Sequence, residues 1–151
     1  MVYLKATAGK LSWSGTKVIN QLKQEIKMSG RPILFTETSI FRDTYEVSLK
    51  LYRLTTKFSK QFKYSLGTRI IDNSLDLIDL LYKCNSVSDI REKLIYIDKF
   101  INIQELLKIQ LRLGEELGAI PRKNLSSIHL LMESIGKQIH GIKRNYKNKL
   151  A

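Results

Sequence analysis

From Ser39 onward apolar residues recur at intervals of three and four, the period of helices that pack along one face. Between about Ser39 and Phe58, Val47, Leu51, Leu54 and Phe58 form one stripe, and Phe41, Tyr45, Leu49 and Tyr52 form another. Asp43, Glu46, Lys50, Arg53 and Lys57 fill the narrow arc left over. A second helix, about Gln61 to Cys84, repeats the plan. Leu66, Ile70, Leu77 and Leu81 make one stripe, Ile71, Leu75, Ile78 and Tyr82 the other. Its polar arc holds Ser65, Arg69, Asp72, Asp76, Asp79 and Lys83. The third helix starts after Asn85-Ser-Val-Ser88, with Ser88 as the expected N-cap, and runs to about Leu117, where Gly118 supplies the usual terminating residue. Pro121 suits the first turn of a fourth helix. There Leu125, Ile128, Met132, Ile135, Ile139, Ile142 and Tyr146 trace the seam of an antiparallel bundle.

The connections are short: Ser59-Lys60, Asn85 to Val87, and Gly118 to Ile120. Helices joined so closely must run antiparallel. The expected fold is therefore all-α, an up-down-up-down four-helix bundle over residues 39–151 with an N-terminal extension over 1–38. In that extension Val18, Ile19, Leu22 and Ile26 suit one face of a short helix, which Gly30-Arg31-Pro32 would break. Helices that short are marginal in isolation, so a flexible or loosely docked segment is expected, and Met28 offers an internal start. Two apolar stripes exceed the arc of somewhat over 100° that a monomeric surface helix needs, which points to burial against a second subunit. A thick bundle with an untidy surface would give the same pattern.

Composition narrows the class. The 151 residues suit one compact domain, and a 43% hydrophobic share excludes a disordered chain. Two prolines and eight glycines favour long uninterrupted elements. Lys and Arg outnumber Asp and Glu by 26 to 14, a net charge of +12 that attracts polyanions such as nucleic acid or an anionic membrane. Solubility alone is the plainer use of such charge. Cys84 is the only cysteine, so no intrachain disulfide can form, and an inert thiol at a helix end is expected. No apolar run approaches the roughly 20 residues that span a bilayer, and the first residues lack the apolar core of a secretory signal. A cytoplasmic protein without membrane attachment is expected.

The groups able to carry chemistry are few. Asp72, Asp76 and Asp79 share a helix face, but carboxylate-bridged bundle sites need inward Glu residues with Glu-x-x-His pairs, and the sequence has none. Ion pairing with Arg69 or Lys83 is the plainer reading. Arg122 and His129 loosely match the Arg-x(4–6)-His pattern of helical ribonucleases. That pattern needs both residues on one helix and a polar neighbour after the arginine, whereas here Lys123 follows. Gly136 and Gly141 fall inside the fourth helix rather than in a phosphate-binding loop, where they are expected to admit a neighbouring backbone. No catalytic centre, metal site or cofactor is expected.

The cations are better organised. Lys50, Arg53 and Lys57 form a helical stripe that continues through Lys60 and Lys63 to Arg69. Lys108 and Arg112 stand four apart on the third helix, and Lys137, Lys143, Arg144, Lys147 and Lys149 load the end of the fourth. Cations at fixed spacing on rigid helices can follow a phosphate backbone without reading bases. Part of the pattern is ordinary pairing, Glu46 with Lys50 and Arg112 with Glu116.

Several stretches give a family resemblance: Tyr52-Arg-Leu-Thr-Thr-Lys-Phe-Ser-Lys, Tyr64-Ser-Leu-Gly-Thr-Arg69, Leu111-Arg-Leu-Gly-Glu-Glu-Leu-Gly118, Glu133-Ser-Ile-Gly-Lys137 and Ile139-His-Gly141. In their order and spacing the chain, from about Phe41 to Tyr146, resembles the accessory variability determinant proteins of diversity-generating retroelements. These are similar to four-helix proteins encoded in 23S rRNA intervening sequences. Pro121 stands where a Ser or Thr cap is common, and His140 where a small or apolar residue is usual. The resemblance implies a homopentameric barrel of bundles with a positive surface and no catalytic centre. It also implies association with a reverse transcriptase and with template RNA or cDNA during mutagenic copying. By position it places family cations at Lys60, Arg69, Lys108, Arg112, Lys137 and Arg144. A structural, RNA-associated protein of the intervening-sequence type, with no polymerase partner, is the alternative; a helical ribonuclease is a third.

Overall fold

The computed structural model describes Asn20 and residues 34–151, so the expected helix around Val18 to Ile26, its break and the Met28 start lie outside the described residues. Phe35–Glu37 form one 3-10 turn, with the Leu34 amide donating to Glu37 Oε2 at 2.9 Å. Ser39–Ala151 make a separate unit of four long helices: α1 (Ser39–Thr56), α2 (Thr68–Ser86), α3 (Ile90–Glu116) and α4 (Ser126–Leu150). No strand occurs among the described residues, and the fold is the expected all-α four-helix bundle.

Each helix packs on its two sequence neighbours, and α4 closes the ring against α1. On the first two helices the stripes running from Val47 to Phe58 and from Leu66 to Leu81 are the ones that enter the core. Val47, Leu51, Ile70, Leu77, Ile97, Phe100, Leu107, Leu111, Met132, Ile135 and Ile139 are almost fully buried. Each such side chain contributes roughly 1.5–3 kcal/mol. The second stripes are divided. Phe41 is buried and Tyr45, Leu49, Ile71 and Ile78 are half-buried, whereas Tyr52, Leu75 and Tyr82 are exposed. The larger exposed apolar surface is on α3, where Ile95, Leu106, Ile109, Leu113 and Leu117 face outward. The doubled pattern on the first two helices did not mark it.

Polar ties link every adjacent pair of helices and fix their directions. Ser48 Oγ donates to the Ser74 carbonyl at 3.3 Å (α1 to α2) and Asn73 Nδ2 to Gln110 Oε1 at 2.8 Å (α2 to α3). Gln104 Nε2 donates to the Met132 carbonyl at 2.7 Å (α3 to α4), and Gln138 Nε2 to Asp43 Oδ2 at 2.7 Å (α4 to α1). Gln104, midway along α3, meets α4 in its first third at Met132. Lys143, late in α4, pairs with Asp98, early in α3, at 2.7 Å. Neighbours therefore run antiparallel.

The helix ends differ from expectation in local ways. α1 closes at Thr56 because 3-10 bonds from the Lys57 and Phe58 amides, to Leu54 and Thr55, tighten its last turn and turn the Phe58 ring inward. Asp89, not Ser88, caps α3: its carboxylate accepts from the Arg91 amide at 3.3 Å, and a negative charge suits the positive end of a helix. α3 stops as expected. Gly118 has φ +78°, and the Ala119 and Ile120 amides both fold back to the Gly114 carbonyl. Pro121 does not open α4. It is extended and leads a 3-10 turn, Arg122–Asn124, after which buried Leu125 sets the start of the helix. Nor do the α4 glycines admit a backbone. Among the described residues a Cβ at Gly136 would meet only the Gln104 side chain, at 3.7 Å, and one at Gly141 nothing within 4 Å.

Candidate nucleic-acid interface

The connection between α1 and α2 is itself ordered. Ser59 is extended, and its carbonyl accepts from the Phe62 and Lys63 amides, starting a helical turn at Lys60–Phe62. A π-helical turn, Lys63–Gly67, then joins it to α2. Such a turn inserts a residue into the helical ladder, so side chains before and after it fall out of ordinary register. Gly67 permits the arrangement. A Cβ there would lie 3.2 Å from the Phe62 carbonyl oxygen and 3.3 Å from the buried Phe58 ring. The result carries Tyr64 outward to 72% exposure, close to Tyr52 at 60%.

Arg53, Lys57, Lys60, Lys63 and Arg69 surround this connection; all are exposed and none has an ion-pair partner among the described residues. Arg53 and Lys57 also stand at the carboxyl end of α1, where positive charge offsets the helix dipole. Other expected residues are engaged. Lys50 pairs with Glu46 at 3.8 Å, Lys108 with Glu105 at 2.9 Å, Arg112 with Glu116 at 3.0 Å and Lys137 with Glu133 at 3.7 Å. Lys143 is held by Asp98, while Arg144 is exposed without such a partner.

Antiparallel packing sorts these groups in space. Arg53 to Arg69 lie at the end of the bundle where α1 leads into α2, and Lys108 and Arg112 lie on the half of α3 that runs toward it. Lys143 and Arg144 belong to the half of α4 that runs the opposite way, where Lys143 meets Asp98, and Lys137 lies at the middle of that helix. The structure thus spreads the expected cations along the bundle, with the largest group at the α1–α2 end. Lys123 was missed. It is exposed in the α3–α4 connection, which an up-down bundle puts at the same end as Lys60 and Lys63. The topology alone was enough to find it. In the sequence Tyr52 falls in a stripe and Tyr64 only within the Tyr64–Arg69 stretch, whereas the structure exposes both beside these cations.

The other candidates come apart. Asp72, Asp76 and Asp79 are exposed, and Asp79 bonds Lys83 at 2.8 Å, which holds that amine more firmly protonated. Among the described residues no group of three or more His, Cys, Asp or Glu side chains is placed to hold a metal ion. Arg122 is bound by Glu115 at 2.6 Å, which raises its pKa further, and His129 and His140 are exposed. No described helix is long and apolar enough to cross a membrane.

A family model described as bAvd-like matches residues 40–146. The chain belongs to the bAvd-like family. This is the family of accessory variability determinant proteins to which the sequence stretches point. The bAvd-like span begins one residue inside α1 and ends in the last turns of α4, so it takes in the whole ring of helices. Every expected cation from Lys50 to Arg144 falls within it, and Lys147 and Lys149 fall outside. No curated protein matches the chain.

Proposed function

We propose that this bAvd-like protein is a non-catalytic accessory subunit of a diversity-generating retroelement, gripping the reverse transcriptase and its template RNA or cDNA through a basic surface. The observation that carries the reading is the group Arg53, Lys57, Lys60, Lys63 and Arg69. These cations lie at one end of the bundle, and none is ion-paired to a carboxylate among the described residues. A cation already paired within the protein must give up its carboxylate to meet a phosphate; an unpaired one gains the full effect of counterion release. Family membership supplies the polymerase context.

Self-association is part of the same proposal. Ile95, Leu106, Ile109, Leu113 and Leu117 on α3 make an apolar face that suits burial against another copy. A closed homopentamer agrees with what the resemblance implies. Lys108 and Arg112 flank that face and would then sit at the rim of an interface between copies.

The experiment is a binding titration of the purified chain against RNA, with and without the reverse transcriptase of the same element, at several salt concentrations. Binding that weakens steeply with salt, and complex formation with the polymerase, are expected. Affinity independent of salt would remove the basic surface from the account. A reverse transcriptase reading frame beside the gene separates this reading from a structural RNA-associated protein.

A further inference from the structure

A shallow cleft of about 230 Å³ opens beside the π-helical turn, lined by Tyr52, Lys63, Tyr64, Ile71 and Asp72, with threonines between. Neither tyrosine has a ring partner among the described residues, although both are largely exposed. The threonine hydroxyls are turned back to the main chain. Thr55 donates to the Tyr52 carbonyl at 3.1 Å, Thr56 to that of Arg53 at 2.7 Å and Thr68 to that of Lys63 at 3.2 Å. The lining that remains is mainly apolar, with one cation, Lys63, and one carboxylate, Asp72.

We propose that this cleft receives one unpaired nucleobase of a single-stranded nucleic acid, held against both Tyr52 and Tyr64 with its phosphate toward Lys63. The proposal deepens the reading of the basic surface and rests on it. Three observations favour this occupant. The volume falls below the 300 Å³ or so at which pockets for larger organic ligands begin, and so suits a single planar group. Exposed aromatic rings set among unpaired cations are the arrangement by which proteins hold single strands, since every base has a face to stack and every nucleotide a charge to neutralise. Asp72 can accept from the amino group of a base edge while repelling phosphate, which orients the nucleotide with its backbone toward Lys63, Lys60 and Arg53. A duplex offers no such base, because its bases are stacked within the helix.

The test uses the full chain and three labelled probes of one unstructured sequence: the RNA strand, the DNA strand and the duplex. Tyr52→Ala and Tyr64→Ala should each lower single-strand affinity by about ten-fold. The salt slope should not change, because no cation is removed. Duplex binding should stay as in the parent chain, and Tyr64→Phe should keep single-strand affinity. The two single-strand arms tell template RNA from cDNA as the source of the base. Alanine variants that bind single strands normally, or that lose duplex and single strand alike, would overturn the stacking site while leaving the basic surface in place. A changed oligomeric mass with unchanged affinity would assign the tyrosines to an interface between copies and equally overturn it. Failure of the parent chain to bind any of the three probes would remove the basic surface, and this site with it.

Discussion

Gln104 Nε2 donates to the Met132 main-chain carbonyl over 2.7 Å, joining α3 to α4 at a point where Gln104 is only 2% exposed. The carbonyl also faces the helical amide four residues on, so removing the glutamine leaves no bare acceptor. Gln104→Met should therefore cost only about 1 kcal/mol, and equally at all pH values. Gln104→Glu is different. A buried carboxylate facing a carbonyl oxygen is repelled when charged but can donate when protonated, so its folded pKa would be raised above the unfolded value near 4.3. Stability would be fully present below that value and lost as pH rises through the folded pKa. Urea unfolding at pH 5 and pH 7.5 should show the Glu variant close to parent at the lower pH and well below it at the higher. An equal loss at both would mean that the site is wet.

Gly118 holds φ +78° where α3 ends, and no atom of the described residues lies within 4 Å of the position its Cβ would take. Substitution there is a test of backbone conformation alone. Gly118→Ala should destabilise the bundle by about 1 kcal/mol, and Gly118→Asn by less, since asparagine tolerates the left-handed region. Thermal unfolding of the two variants gives the order; an alanine variant as stable as the parent would mean that the turn rearranges.

Cys84 is half-buried at the end of α2, and its thiol donates to the Lys93 carbonyl at 3.8 Å. Burial pushes the thiol pKa up, while the Lys93 amine partly opposes the shift. A raised folded pKa means that the contribution to stability is fully present below the unfolded thiol value and declines as pH rises through the folded one. Alkylation at pH 8 should accordingly be slower in the folded chain than in the urea-unfolded chain, because only the thiolate reacts. Equal rates would show an open, reactive thiol.

The architecture was legible because it depends on period and on loop length. Val47, Leu51, Ile70 and Leu77 repeat at helical spacing, and the short links leave one topology. What escaped was local or collective. The π-helical turn depends on the close approach of Gly67 to Phe62 and Phe58, which no periodicity encodes. The Asp89 cap competed with a serine one residue away, and only the helical register decides between them. The α3 face was hidden because Leu106, Ile109 and Leu113 alternate with the buried Leu107, Gln110 and Leu111, so the helix reads as apolar nearly all round. Among the cations, spacing gave their faces but not their partners. Lys108 and Arg112 share a face in the sequence, yet whether either was free depended on Glu105 and Glu116, whose pairing is a matter of rotamer and geometry.

That difference in pairing ranks the basic residues. Lys108 and Arg112 already hold Glu105 and Glu116, so a phosphate must displace a carboxylate to reach them. Arg53, Lys57 and Lys60 have no such competitor among the described residues. Replacing these three with alanine should weaken RNA binding more than replacing Lys108 and Arg112, and by similar factors across unrelated sequences, because phosphate contacts carry no base information. Each phosphate-neutralising cation removed should flatten the dependence of log K on log salt by about 0.7 on single strands and about 0.9 on duplex DNA. The fold should be unaffected, since exposed charges contribute little to stability and these side chains lie outside the core. Circular dichroism and the oligomeric mass would check that. If the Lys108 and Arg112 pair proves the more damaging, its ion pairs open at no cost on binding and the face of α3, rather than the α1–α2 connection, is the main path of the nucleic acid.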